Sequence, residues 1–208
     1  MTVELGLRER KKAATRAALG RAAALLAVRH GTEGVTVEAV AAEAGVSPRT
    51  FHNYFAGKEE AIVSVLTDGA RAIVDGLRAR PAGEDVRESL RQAVRGVLLP
   101  AGREPDDLAL TLALLRVVKA DPALVAGQLG GLVQTQREIA EIIAARTGTD
   151  AARDPYPHLL GGAAALAMRT VVDLWSDRPH RDLGGLLDEA FALLWAGLPA
   201  PAAPPPEP

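Results

Sequence analysis

Cysteine is absent from the 208-residue chain, so disulfide staples and thiolate metal sites are excluded. Aromatic residues make up only 3% of it, which leaves little material for an aromatic cage around a planar cation and favours any cavity being lined by Leu, Val and Ala. No stretch reaches the roughly 20 uninterrupted apolar residues that span a bilayer. The opening segment MTVELGLRERKK meets charge where a signal peptide would carry an apolar run. These absences together predict a cytoplasmic protein with no membrane partner. The four histidines, His30, His52, His158 and His180, show no metal-ligand spacing, and no GxSxG, P-loop or strand-flanked GxGxxG occurs. The expectation is no enzyme: no catalytic residue, no metal and no cofactor.

What is present is a globular composition, 48% hydrophobic and 24% charged, on a chain long enough to bury a core. The net charge of -2 is unevenly spread. Between Met1 and Lys58 stand nine Lys and Arg against five Asp and Glu, an excess of four, so the remainder carries -6. A basic head on an acidic body predicts that only the head meets a polyanion.

Apolar spacing with a 3.6-residue period runs through nearly the whole chain, and strand-like alternation is missing. A helix from about Arg8 to His30, with Ala18, Ala22, Leu25 and Leu26 on one face, stops at Gly31. Thr36 reads as the N-cap of a short second helix with Glu38 in its first turn. Gly45 ends that helix, and Ser47 caps a third with Pro48 at its first position. Further helices are predicted over roughly 58–80, 84–99, 105–119, 122–146, 156–177 and 182–197, each bounded by Pro, Gly or Asp. The glycines of GQLGG, 127–131, fall inside a helical pattern and read as a flexible or closely packed segment. The fold class is all-α: an N-terminal three-helix helix-turn-helix domain over 1–57 and a helical effector-binding and dimerisation domain over 58–198. A disordered Pro/Ala tail is predicted over 199–208.

The most specific text is AVAAEAGVSPRTFHNYFAGKEEAI, Ala39 to Ile62. Gly45 supplies the left-handed turn between two helices. Val46, Phe51 and Phe55 can face inward, leaving Arg49, Thr50, His52, Asn53 and Tyr54 toward solvent on a helix short enough for the major groove. Lys58 opens the fourth helix, where the dipole disfavours a cation, and a nearby phosphate would reverse that preference. The basic run Arg8, Arg10, Lys11, Lys12 and Arg16 reads equally as a DNA-following arm or as a solvated face.

Over about Arg8 to Val63 the chain resembles the tetracycline-repressor (TetR) family of regulators, of the actinobacterial type. The resemblance rests on the Gly31 stop, Thr36-Val37, the AxxAGVS turn, and TFHNYF followed by GKEE. It implies an all-helical homodimer on double-stranded operator DNA. By position, Arg49, Thr50, His52 and Asn53 would read bases, while Thr36, Tyr54 and Lys58 would contact phosphates. Aromatic residues common in the family at the positions of Ala27 and Thr32 are missing here.

In the rest of the chain, Leu112, Leu115, Val133 and Leu166, with Arg116 as a polar anchor, are the candidate lining for an unidentified small-molecule effector. Arg169 and Asp173, four residues apart, can pair with each other. Leu159, Ala163, Leu166, Thr170 and Leu174, followed by Leu186, Ala190, Phe191 and Leu194, supply both a core and an exposed stripe suited to a two-fold four-helix interface. Three functional readings follow. The first is a ligand-responsive regulator, in the form of a repressor released by its effector; the second is a ligand-independent architectural DNA-binding dimer. The third, a helical enzyme with a borrowed DNA-binding head, would need convergent acid and base groups in a cavity.

Overall fold

The computed structural model describes residues 6–100, 105–177 and 182–199. The described residues form helices only: α1 (Leu7–His30), α2 (Val37–Glu43), α3 (Pro48–His52), α4 (Lys58–Ala79), α5 (Val86–Leu98), α6 (Pro105–Ala120), α7 (Pro122–Thr147), α8 (Pro155–Asp177) and α9 (Leu183–Trp195). The helix starts obey the capping chemistry written into the chain. Thr36, Ser47, Asp85 and Asp182 each stand at an N-cap and accept a backbone N–H with the side chain. Of the predicted tail, residues 200–208 lie outside the described residues, as does His180. No described helix is long and apolar enough to cross a membrane.

Two compact units emerge. The first comprises Met1–Ala72 and Gly102–Thr135, the second Ile73–Ala101 and Gln136–Pro208. α4 and α7 each give their first part to the first unit and their last part to the second.

In the first unit α1 packs against α2 and α6. Having neighbours on more than one side shifts its buried arc from the expected face. Leu19, Ala22, Ala23, Ala24 and Ala27 are buried, whereas Ala18 is exposed and Leu25 and Leu26 are only half-buried. Small residues let the backbones approach. A Cβ added at Gly20 would fall 2.3 Å from Ser64 Oγ, a buried hydroxyl that donates to the Ala61 carbonyl at 2.8 Å. The core joins Leu19, Val40, Phe51, Phe55 and Ile62 to Leu110, Leu114, Val118 and Leu124, residues far downstream.

In the second unit α5 packs on α8 and α9, which pack on each other. Its polar centre is Arg146. That guanidinium donates to the carbonyls of Leu77 and Arg80, both at 2.8 Å, and of Pro81 at 3.2 Å, so α7 closes the C-terminal end of α4. Arg146 also donates to Ser89 Oγ at 3.0 Å, and buried Ser89 in turn donates to Glu84. Arg80 pairs with the same Glu84. On α5, Arg91 and Arg95 share Asp188 of α9.

Candidate nucleic-acid interface

Local rules are enough to build the recognition element. Gly45 adopts φ +68°, and the N–H groups of Gly45 and Val46 bond back to Ala42 (3.1 Å) and Ala41 (2.9 Å), closing α2 and turning the chain. Ser47 Oγ then accepts from the Thr50 N–H at 3.1 Å, with Pro48 at the first helical position. A second bond, 2.9 Å between the Ser47 and Thr50 hydroxyls, holds the Thr50 side chain against the cap. Phe51 and Phe55 anchor the helix in the core, their ring centroids 5.6 Å apart.

This leaves Arg49, His52 and Asn53 exposed and Thr50 and Tyr54 half-buried, Tyr54 packing on the core from its edge. Arg49, His52 and Asn53 crowd onto a helix of 5 residues and its C-cap, so one short rod offers a guanidinium, an imidazole and an amide to a groove. Thr36 is exposed but its hydroxyl already accepts from the Ala39 N–H at 3.1 Å.

Lys58 is half-buried, and its ammonium donates to the Thr32 carbonyl at 3.0 Å. A partial negative charge within the fold therefore offsets the unfavourable end of the helix dipole. Two ammonium donors are left for an external anion. Glu60 completes the start of α4 by accepting from the Ala56 N–H at 2.8 Å. Arg8, Arg10, Lys11 and Lys12 are exposed, while Arg16 turns inward over Phe55.

Two participants carry no role in the sequence reading: Thr32, noted there only for lacking an aromatic ring, and Asp121. The Thr32 hydroxyl donates to Asp121 Oδ2 at 2.8 Å, across 89 positions of chain. The other oxygen, Oδ1, accepts from the N–H groups of Ala123 (2.9 Å) and Leu124 (3.4 Å) at the start of α7. The Thr32 hydrogen bond, foremost, holds the Asp121 carboxyl below its ordinary pKa, helped by those amides and by the charge of Lys58. A DP pair before a helix could have signalled the cap, but nothing local signals a partner so distant.

The residues expected to meet an effector are distributed differently. In the first unit Leu112 is buried, Leu115 half-buried, and Arg116 and Val133 exposed. In the second, Leu166 lines an open groove of about 250 Å³ between α8 and α9, together with Ala163, Leu174, Leu186, Leu193 and Leu194. That groove coincides with the stripe read as a pairing surface. Leu166, Leu174 and Leu193 are 52%, 48% and 44% exposed, too much for side chains of a single-subunit core. Among the described residues no group of three or more His, Asp or Glu could hold a metal ion.

Comparison with known proteins bears on both units. Residues 19–64 match the family described as bacterial regulatory proteins, tetR family, and residues 84–199 match the MftR C-terminal domain. A curated relative, the HTH-type transcriptional regulator TcmR of Streptomyces glaucescens, is 36% identical over 187 residues, covering 87% of this chain and 81% of the relative. Among solved structures, Thermus thermophilus FadR, a transcriptional repressor in complex with lauroyl-CoA, has 25% identity and a TM-score of 0.59, covering 93% of this chain and 100% of its own. The fatty acid degradation regulator FadR of Bacillus halodurans shares the fold at 20% identity and a TM-score of 0.51, covering 88% of this chain and 96% of its own.

Proposed function

The chain belongs to the TetR family of transcriptional regulators, and on that premise we propose that it is a ligand-responsive repressor, released from its operator when a small molecule binds the helices beyond the head. The observation that carries the DNA-binding part is the exposed set Arg49, His52 and Asn53 on a capped helix anchored by Phe51 and Phe55. Arg49, Thr50, His52 and Asn53 read base edges; Thr36, Tyr54 and Lys58 meet phosphates. The division of labour is the usual one, in which phosphate contacts set register and groove contacts set sequence.

Pairing of two chains through the α8–α9 groove presents two heads to one duplex. Half-sites about one helical turn apart, roughly 34–36 Å, then form a near-palindrome. Effector control is supported by the FadR structure holding lauroyl-CoA and by the continuity of α4, which begins at Lys58 in the head and ends at Ala79 in the second unit. A hundredfold change in occupancy requires affinities for two states differing by about 2.7 kcal/mol, within ordinary coupling energies. Leu112, Leu115, Arg116 and Val133, all of the first unit, remain the proposed effector-facing set, whereas Leu166 is given to the pairing groove instead.

The test has two stages. Full-length protein first selects duplexes from a random pool. Compounds that raise its melting temperature, with lauroyl-CoA in the first panel, are then added to the tightest duplex. A ligand that lowers operator affinity supports the repressor reading. If every stabilising ligand leaves operator affinity unchanged, the architectural dimer replaces it, and if no duplex is selected the DNA-binding assignment falls.

A further inference from the structure

The head does not end with α4. Its core includes Leu110, Leu114 and Val118 of α6 and Leu124 of α7, so the DNA-reading helices share one apolar centre with residues more than fifty positions downstream. Within that unit one polar junction stands out. Asp121, between α6 and α7, uses Oδ1 to cap α7 and Oδ2 to accept from the Thr32 hydroxyl. Capping needs only one oxygen. The second bond therefore does something else: it holds the loop between α1 and α2.

That loop is tight. Gly31 takes φ +71°, a Cβ on Gly34 would fall 2.8 Å from the His30 carbonyl oxygen, and the Val35 N–H bonds back to the Thr32 carbonyl at 3.3 Å. The same carbonyl receives the Lys58 ammonium. Thr32 is thus gripped on its side chain from the α6–α7 junction and on its backbone from α4, four residues ahead of the Thr36 cap. α2 packs directly on α3, so a displacement of Thr32 is passed to the recognition helix through packed elements that resist deformation.

We infer that Asp121 is a positioning residue for DNA recognition: by holding Thr32 it sets the placement of α2 and α3, and it makes the α6–α7 junction a second control point on operator affinity besides α4. The inference rests on the DNA-binding reading above and goes beyond it. A polar joint suits this task because a hydrogen bond is lost abruptly as its partners separate beyond about 3.5 Å, whereas an apolar contact fades gradually.

Four variants isolate the joint. Thr32→Val deletes the hydroxyl at constant shape, and Thr32→Ser keeps it. Asp121→Ser keeps the cap but is too short to reach Thr32, and Asp121→Ala removes both. The probe is the tightest duplex selected from a random pool by the parent. Thr32→Val and Asp121→Ser should each bind it at least fivefold more weakly with the melting temperature little changed, and Thr32→Ser should restore binding. Hydrogen exchange supplies a readout that a purely stabilising contact would not move. In the parent, duplex addition should slow exchange in peptides covering both 47–55 and 121–126; in Thr32→Val the first protection should persist and the second vanish. Should Thr32→Val bind like the parent, or should protection at 121–126 survive it, the joint is only a structural hydrogen bond and the inference is overturned. A parent that selects no duplex and gains no protection at 47–55 overturns the DNA-binding reading and this one with it.

Discussion

The Arg16 guanidinium lies 4.4 Å from the centroid of the Phe55 ring, with Asp68 of α4 3.7 Å from its Nη2. A cation in the middle of the basic N-terminal run thereby takes part in the packing of the head while staying about a third exposed, at 33%. Arg16→Ala should destabilise the protein by about 1 kcal/mol, the scale of a partly exposed cation–π pair. Arg16→Lys should recover less than half of this, because an ammonium lacks the flat face that stacks on the ring. Chemical denaturation of the three proteins decides it; an unchanged midpoint for Arg16→Ala would return Arg16 to the solvated arm.

Arg49 and Lys58 should fail in different ways. Exposed on α3, Arg49 should cost about 1–3 kcal/mol when replaced by Ala, on the selected duplex and not on a scrambled one. Lys58→Ala should weaken both duplexes and reduce the salt dependence by about one counterion. Equal losses on both duplexes for Arg49→Ala would remove it as a base reader. An unaltered salt slope for Lys58→Ala would leave its bond to the Thr32 carbonyl as its whole role.

Leu166→Glu and Leu187→Ala test the two faces of the α8–α9 pair. Leu166, half-exposed in the groove, should tolerate Glu in the folded monomer yet separate the subunits, because a charge in a two-fold apolar interface meets its own copy. Leu187, fully buried, should instead cost about 2–5 kcal/mol of folding stability on truncation to Ala. Sedimentation read beside denaturation distinguishes these outcomes. An intact dimer for Leu166→Glu would place the interface elsewhere.

Acid should loosen the second unit first at α5. The Glu84 carboxyl is held at about 2, chiefly by its hydrogen bond from Arg80, then by Ser89, with the charges of Arg80 and Arg146 adding to the effect against a burial penalty. Asp85 and Glu88 are shifted the same way by their own donors, Arg87 and Arg91. A carboxyl whose folded pKa is depressed stabilises the fold fully above its unfolded value of 4.5 and loses that contribution as pH falls from there toward about 2. The melting temperature should therefore decline through this window, and Glu84→Gln should flatten the decline. Parallel curves for the two proteins would show that Glu84 carries no linked proton.

Much of the head was legible because its determinants are local. Ser47-Pro48, Gly45 and Thr36 act within four residues, and the Phe51–Phe55 spacing places both rings on one side without reference to any other element. The same holds for most helix limits, which follow from caps and from Pro and Gly. The buried arc of α1 was misplaced because burial depends on which helices arrive beside it, and α6 arrives from across the chain.

The amino-acid sequence by itself determined an all-helical chain, the helix-turn-helix and, of the five residues read as outward, the exposure of Arg49, His52 and Asn53 but not of Thr50 and Tyr54, which are half-buried; periodicity, capping and charge are properties of neighbouring residues. Tertiary structure alone decided that the head incorporates α6 and the first part of α7, that Lys58 and Asp121 converge on Thr32, and that Arg146 closes the end of α4. It also decided that Leu166 faces outward while Leu187 is buried. The reason is physical: a cap or a turn is settled by bonds closed over three or four residues. A hydrogen bond spanning 89 positions exists only once packed helices have brought its ends together.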